Sequence, residues 1–344
     1  MQMYNTIKTI RYMGNKNKLL DFIIPEIINN SSKGDVICEL MAGTNCVSYA
    51  LKDKRKIYTN DIQYYSYIIS NALIKNNSKV ISSESAIKDL EEKYKINLES
   101  YEYDFFKKNY SDTYFSAKQC IEIDSIRYAI NHINDMDIKS LYLVALMNAM
   151  CVCEATSGHF AQYLPSDHPR LEKIKNKSIW NEFLKKCNDF KKIVFSKFEN
   201  KCFNLNYEKL IELPEFDDVD LVYIDPPYTG EQYSRFYHVL ETICKYDNPE
   251  LEFKGLYRTD RFTSPFSLRT KAFDEFDKLF SSLASKGKKI VLSYSTKGLI
   301  KEYEMEYLLK KYFKNCKTKR TSYNHSTQGK GNINLEELLF IAYN

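Results

Sequence analysis

The 344 residues contain no G-x-G-x-x-G turn of the kind that wraps a dinucleotide pyrophosphate, which weighs against a nicotinamide-dependent oxidoreductase. The stretch "MQMYNTIKTIRYMG" has no apolar core and is not expected to act as a secretory leader. The most apolar run, "LYLVALMNAMCVCEA", is short and interrupted for a bilayer span and reads as a buried helix. Cys151, Cys153, His159 and His168 fit no zinc spacing, so no metal is expected; His159, inside "GHF", is instead a candidate to line a ligand face. Nine cysteines make an odd, scattered set, and Cys38, Cys46, Cys202 and Cys244 lie in or beside apolar segments as small core residues. Internal repeats and low-complexity linkers are absent. The expectation is a soluble cytoplasmic protein with no membrane partner.

What is present is an ordinary globular composition, 44% hydrophobic and 28% charged, with a net charge of +5. That mild basicity permits a polyanionic partner without requiring one. Residues 1 to about 78 read as strand, helix, strand, helix: "DVICELMAG", "TNCVSYALKDK", "KIYTND" and a following helix. From 79 to 200 the chain turns long, charged and helical, as in "SAIKDLEEKYKI" and "SIWNEFLKKCNDFKKIV". Strands return from 201 with "CFNLN", "DLVYIDPP" and "KIVLSYS", and "CKTKRTSYN" with "LEELLFIAYN" reads as an antiparallel hairpin. The fold class is therefore α/β: a mostly parallel Rossmann-like sheet over 1–78 and 201–344, interrupted by a helical insertion over 79–200.

Two strand ends carry chemistry. "ELMAGTNCV" places Glu39, Ala42, Gly43, Thr44 and Asn45 in a small-residue turn where α/β proteins bind ligands. The next strand ends in Asp61, positioned to accept hydrogen bonds from ribose hydroxyls. Asn45 stands where a second glycine would be wanted, and Glu39 would repel phosphate but can pair with an ammonium. S-adenosylmethionine, with an amino-acid end, a ribose and no phosphate, suits such a turn better than a dinucleotide. In "RYMGNKNKLL", Tyr12, Gly14 and Lys16 join the cofactor candidates, as does Asn206 at the end of "CFNLN"; Lys18 there also reads as part of a solvated helix entry.

The second strand end is "LVYIDPPYTGEQYSRFYH", where Asp225, Pro226, Pro227 and Tyr228 halt a buried strand with two rigid imino acids. Such a corner can hold a flat polar group between a carboxylate and a ring. Beyond it Arg235, Lys254, Arg258, Arg261, Arg269 and Lys271 alternate with Tyr233, Tyr237, Tyr257, Phe262 and Phe266. Guanidiniums among rings suit phosphates and stacked bases, although the same pattern also describes a solvated face over a core. A second basic tract, "KKYFKNCKTKRTSYNHSTQGKG", reads mainly as solvated charge.

Taken together, "RYMGNKNKLL", "ELMAGTNCVSYAL", "TNDI" and "VYIDPPYTGEQYSRFYHVLETICKYD" resemble the bacterial Dam-type DNA N6-adenine methyltransferases over nearly the whole chain, and "SGHFAQYL" resembles a segment of their insertion. The resemblance implies S-adenosylmethionine as cofactor, double-stranded DNA as partner, target reading by the 79–200 segment, and a cognate restriction enzyme as a further partner. It assigns Asp225, Pro226 and Tyr228 to an adenine turned out of the duplex. Position directly after that corner, with guanidiniums among rings, makes Arg235, Tyr237, Arg258, Arg261 and Arg269 the candidates to meet DNA. The exocyclic amine of adenine is a poor nucleophile, and acceptors at the Asp225 carboxylate and the Pro226 carbonyl would localise its lone pair. Methylation of cytosine N4 or of RNA, and a catalytically silent DNA-binding module, remain the alternatives.

Overall fold

A computed structural model describes residues 4–81, 84–325 and 333–344. Its centre is a seven-stranded sheet built from β1 (Val36–Glu39), β2 (Lys56–Asn60), β3 (Lys201–Phe203), β4 (Val219–Ile224), β7 (Lys289–Ser295), β8 (Asn315–His325) and β9 (Ile333–Tyr343). The two strands between, β5 (Leu251–Glu252) and β6 (Tyr257–Arg258), form a separate small hairpin. The order across the large sheet is β3-β2-β1-β4-β7-β9-β8. Strands β3 to β7 run parallel, and the expected C-terminal hairpin adds β9 and β8 antiparallel.

Period-two alternation explains why helices cover both faces. Ile37, Leu221, Tyr223, Val291, Leu339 and Ile341 enter one buried cluster. Their neighbours Cys38, Val222, Ile224, Ile290, Leu292 and Phe340 enter the other. The first face is covered by helices Leu20–Asn29, Cys46–Leu51, Tyr64–Ser70 and His238–Lys245, the second by Tyr207–Glu212, Ala272–Ser285 and Glu302–Tyr312.

The segment expected to be helical contains Glu84–Ser100, Ala117–Asn131, Met136–Cys153 and Ile179–Asp189. Among the described residues its β content is limited to isolated bridges such as Thr156 to Tyr163. Ser116 and Gln119 form a reciprocal capping box at the start of the second of these helices. These helices bury Leu141, Val144, Met147 and Phe183 in the same cluster as the first sheet face. Met136–Cys153, the apolar run, is the one described helix long and apolar enough to cross a membrane, and 67% of it is buried against the rest of the chain. Cys151 and Cys153 lie buried on it, and no group of His, Cys, Asp or Glu among the described residues is arranged to hold a metal ion.

Chain direction across the sheet reverses between β1 and β4, since β2 and β3 lie to one side and β7, β9 and β8 to the other. At such a switch point the loops leaving the carboxyl ends of adjacent strands diverge and leave a crevice. Glu39 ends β1 and Asp225 follows β4, so sheet topology alone brings the two chemical strand ends side by side.

Candidate active site

That crevice is a cavity of about 320 Å³, within the size range of small-molecule sites. Every residue expected to hold a cofactor lines it: Tyr12, Gly14, Lys16, Glu39, Ala42, Gly43, Thr44, Asp61 and Asn206. Asp225, Pro226 and Tyr228 line it as well, and Phe262, Ser264 and Phe266 close another side.

The loop after β1 solves the missing-glycine problem through Asn45. This residue takes the left-handed conformation, φ 60°, which asparagine adopts more readily than most side chains. Its buried amide oxygen accepts from Ser70 Oγ at 2.7 Å, while Ser66 Oγ donates to the Gly43 carbonyl at 2.8 Å. Gly43 itself has φ 50°, and a Cβ there would meet the Tyr12 ring at 3.2 Å. Asp61 accepts from Gly43 N through one oxygen and from Gln63 N through the other, both at 2.8 Å. It therefore braces the loop from the cavity wall, with the Ser66 side chain as a further partner. Asn15, which sequence reasoning passed over, donates to Thr44 Oγ1 at 3.0 Å and ties the N-terminal turn to the same loop. Asn206 caps the helix Tyr207–Glu212, accepting from Glu208 N at 3.1 Å.

Glu39 and Asp225 in the cavity wall and Glu337 behind it form an acidic group in which burial dominates each member. Glu39 accepts from Ser48 N at 3.0 Å, yet burial pushes its carboxyl up to about 8. Burial raises Asp225 too, opposed by Lys16, whose ammonium stands 3.0 Å from Oδ1. Lys16 also reaches Glu337 Oε1 on β9 at 2.7 Å, and burial raises the Glu337 carboxyl against the opposing pull of Lys16. Burial alone would lower Lys16, but the two carboxylates outweigh it and hold the ammonium well above its usual range. Lys16 thus braces the Asp225 corner, in addition to lining the cavity where a cofactor was expected. Glu337 was missed in the sequence, although the strand pattern carried a signal: it shares the face of Leu339 and Ile341, both buried.

Tyr228 leans edge-on against Tyr294 at 5.8 Å, and its carbonyl accepts from Leu299 N at 2.9 Å. The corner it terminates is therefore held from two directions, by the Tyr228 backbone and by Lys16 on Asp225.

Several residues expected to meet DNA lie elsewhere. Tyr237 is 1% exposed; it stacks on Tyr12 at 4.6 Å and its hydroxyl accepts from Met13 N at 2.8 Å. It is a wall that seats the N-terminal turn, because Phe236, Val239, Leu240, Ile243 and Cys244 form a helical stripe that turns inward. Arg258 is 2% exposed and fully occupied: Asp247 takes it bidentately at 2.7 and 2.8 Å, and Asp260 accepts at 2.9 and 2.8 Å. Arg261 spends its guanidinium on Glu252 at 2.8 Å and on the Arg258 carbonyl at 2.9 Å, over the Tyr257 ring. The acids between these basic residues in sequence became their partners, so this stretch is a stapled hairpin. Arg269, Lys254 and Lys271 are exposed, and Arg235 is half-buried with Glu231 at 2.8 Å. His159 stacks on Phe236 at 4.2 Å, one residue from Arg235. In the second basic tract, Lys311, Lys319 and Arg320 pair with Asp277, Glu26 and Glu302, while its end at 326–331 lies outside the described residues.

Residues 12–297 match the sequence profile of the D12 class N6 adenine-specific DNA methyltransferases. The chain is 32% identical over 325 residues to the Type II methyltransferase M.FokI of Planomicrobium okeanokoites, covering 88% of this chain and 47% of that protein. It is 30% identical over 317 residues to the modification methylase LlaI of Lactococcus lactis subsp. lactis, covering 88% and 49%. The chain therefore spans about half the length of these two relatives. Against the Type II methyltransferase M2.HphI of Haemophilus parahaemolyticus the identity is 26%, over 97% of both chains. With the family profile matching residues 12–297, most of its length and both sides of the cavity at the β1–β4 switch point, the chain belongs to the D12 class N6 adenine-specific DNA methyltransferase family.

Proposed function

We propose that this chain transfers a methyl group from S-adenosylmethionine to the N6 amine of an adenine rotated out of double-stranded DNA. The observation that carries the reading is the single cavity bounded on one side by Glu39, Gly43 and Asp61 and on the other by Asp225, Pro226 and Tyr228. The donor set suits the cofactor: Asp61 places a buried carboxylate acceptor at the cavity wall for ribose hydroxyls, Glu39 a carboxylate for a cationic end, and Gly43 a wall without a side chain. When bound, S-adenosylmethionine supplies an electrophilic methyl group.

The chain's own residues do the rest. Asp225 and the Pro226 carbonyl accept the two amine hydrogens, which makes the nitrogen more tetrahedral and localises its lone pair. Tyr228 offers a stacking surface, worth about 1–3 kcal/mol per base, toward the cost of rotating the base out, which is roughly a few kcal/mol. The target amine loses its proton readily once nitrogen carries positive charge, so Asp225 acts as an aligning acceptor. Arg269, Lys254 and Lys271 are the exposed cations of the sequence set and the candidates for phosphate, while Arg235 shares its charge with Glu231. The 79–200 segment is the target reader in this proposal, and a restriction endonuclease of the same specificity is the partner that the relatives' designation as modification methylases supports.

Methylation of unmodified genomic DNA followed by digestion to nucleosides tests the reading. N6-methyladenine should be the product by mass; N4-methylcytosine or an unmodified digest would overturn it.

Glu39 makes cofactor binding pH-dependent. Its carboxyl, raised from 4.5 to about 8, is mostly neutral in the free protein at pH 7, and its burial makes the fold less stable as pH climbs between those values. A bound cation favours the ionised form, so binding releases a proton. Affinity should therefore rise as pH goes from about 6 to 8, by at most about tenfold per unit, and level off above. Calorimetry in buffers of different ionisation enthalpy measures the proton released, and Glu39→Gln should flatten the profile.

A further inference from the structure

We propose that Glu337 is a positioning residue for the methyl transfer, serving as the standing counter-ion of Lys16 so that Asp225 is left to engage the substrate amine. This rests on the function proposed above. Glu337 lies beyond residue 297, where the family match ends, and reaches the site only because β9 pairs with β7, opposite Ser295.

Lys16 stands between two carboxylates that differ in kind. Its closer contact, 2.7 Å, is to Glu337, whose side chain has no exposure at all; its longer contact, 3.0 Å, is to Asp225, whose side chain is 21% exposed. Asp225 lines the cavity, and Glu337 does not. Glu337 Oε2 has no hydrogen-bond partner among the described residues. A half-satisfied buried carboxylate costs stability, so its position inside the sheet calls for a compensating role. With only one carboxylate present, every adenine that drew on Asp225 would strand a buried ammonium, which is strongly unfavourable. Glu337 removes that conflict, because Lys16 remains paired whichever way Asp225 turns. It also draws positive charge away from Asp225, which leaves the carboxylate a stronger acceptor for the amine.

The groups facing Asp225 from the surrounding elements are Lys16, Glu39, Cys46, Tyr223, Tyr228 and Glu337. In Glu337→Gln, Lys16 turns wholly to Asp225. Two measurements on the full chain follow. Carboxyl-carbon NMR of labelled aspartate, with Asp225 assigned through Asp225→Asn, should show Asp225 titrating at lower pH in Glu337→Gln than in the parent protein. Single-turnover methyl transfer to DNA should slow at least tenfold in the same variant, with S-adenosylmethionine affinity within twofold of the parent. Glu337→Asp, which keeps the charge, should recover most of the rate. In a Lys16→Met background, adding Glu337→Gln should change the rate little. An unmoved Asp225 titration, or a Glu337→Gln effect that is undiminished without Lys16, would overturn the proposal. A parent protein that methylates no DNA while the Asp225 titration shifts as expected would instead remove the proposed function and leave the Lys16 arrangement standing.

Discussion

Asp225→Ala should lower methyl transfer to DNA by about 10³-fold or more while leaving S-adenosylmethionine binding nearly intact. Removing a single preorganised polar group at a developing charge typically costs 10²–10³-fold, and here the missing group is also the one that aligns the lone pair. The variant is expected to fold, because Lys16 retains Glu337 at 2.7 Å and is not left as an unpaired buried ammonium. Asp225→Asn separates shape from charge: the amide keeps one acceptor oxygen but adds donors, so an intermediate loss is expected. Labelled-methyl incorporation read alongside calorimetric cofactor binding provides the check, and turnover at the parent rate in Asp225→Ala would remove this residue from the mechanism.

Arg258→Ala should cost about 2–3 kcal/mol of stability without a direct effect on DNA contacts. The guanidinium makes four charge-assisted hydrogen bonds to Asp247 and Asp260, and losing it sacrifices a set worth about 1.5–3 kcal/mol per bond to a charged group before rehydration. Rehydration limits the damage, since the side chains of Asp247 and Asp260 are 44% and 56% exposed. The arginine's hydrogen bonds hold both carboxyls below their ordinary range, so the clamp contributes above the usual carboxylate range and is lost as pH falls through the lowered values. Exposed Arg269 provides the contrast. If it meets a phosphate, Arg269→Ala should leave thermal stability unchanged, weaken DNA binding across sequences and reduce the salt slope by about 0.9. Denaturant melts and salt-dependent binding on both variants decide the matter. A reduced salt slope in a folded Arg258→Ala protein would return that arginine to the DNA face.

The same comparison shows where sequence was legible. Alternating apolar positions gave the strands their two buried faces, and the proline corner and the Glu39 turn were readable because both are local: a few consecutive residues fix the geometry. Asn45, which stands where a second glycine would be wanted, takes the left-handed conformation with Ser70 on its amide oxygen and Ser66 on the neighbouring Gly43 carbonyl. The burial of Arg258 and Tyr237 was hidden for a different reason. A basic or aromatic residue has the same appearance in sequence whether it meets phosphate or a neighbouring aspartate, and the helical stripe after Tyr237 was the cue that pointed inward.

By itself the sequence determined the α/β class, the helical character of 79–200, and the residue types at the two strand ends, since backbone periodicity and turn chemistry act over a few residues. Only the tertiary structure decided that Lys16 would lie between Asp225 and Glu337, the latter 321 positions away, and that Arg258 would be neutralised inside a hairpin. Electrostatic pairing depends on distance in space, and that distance is set by the order of strands in the sheet, which no local pattern contains.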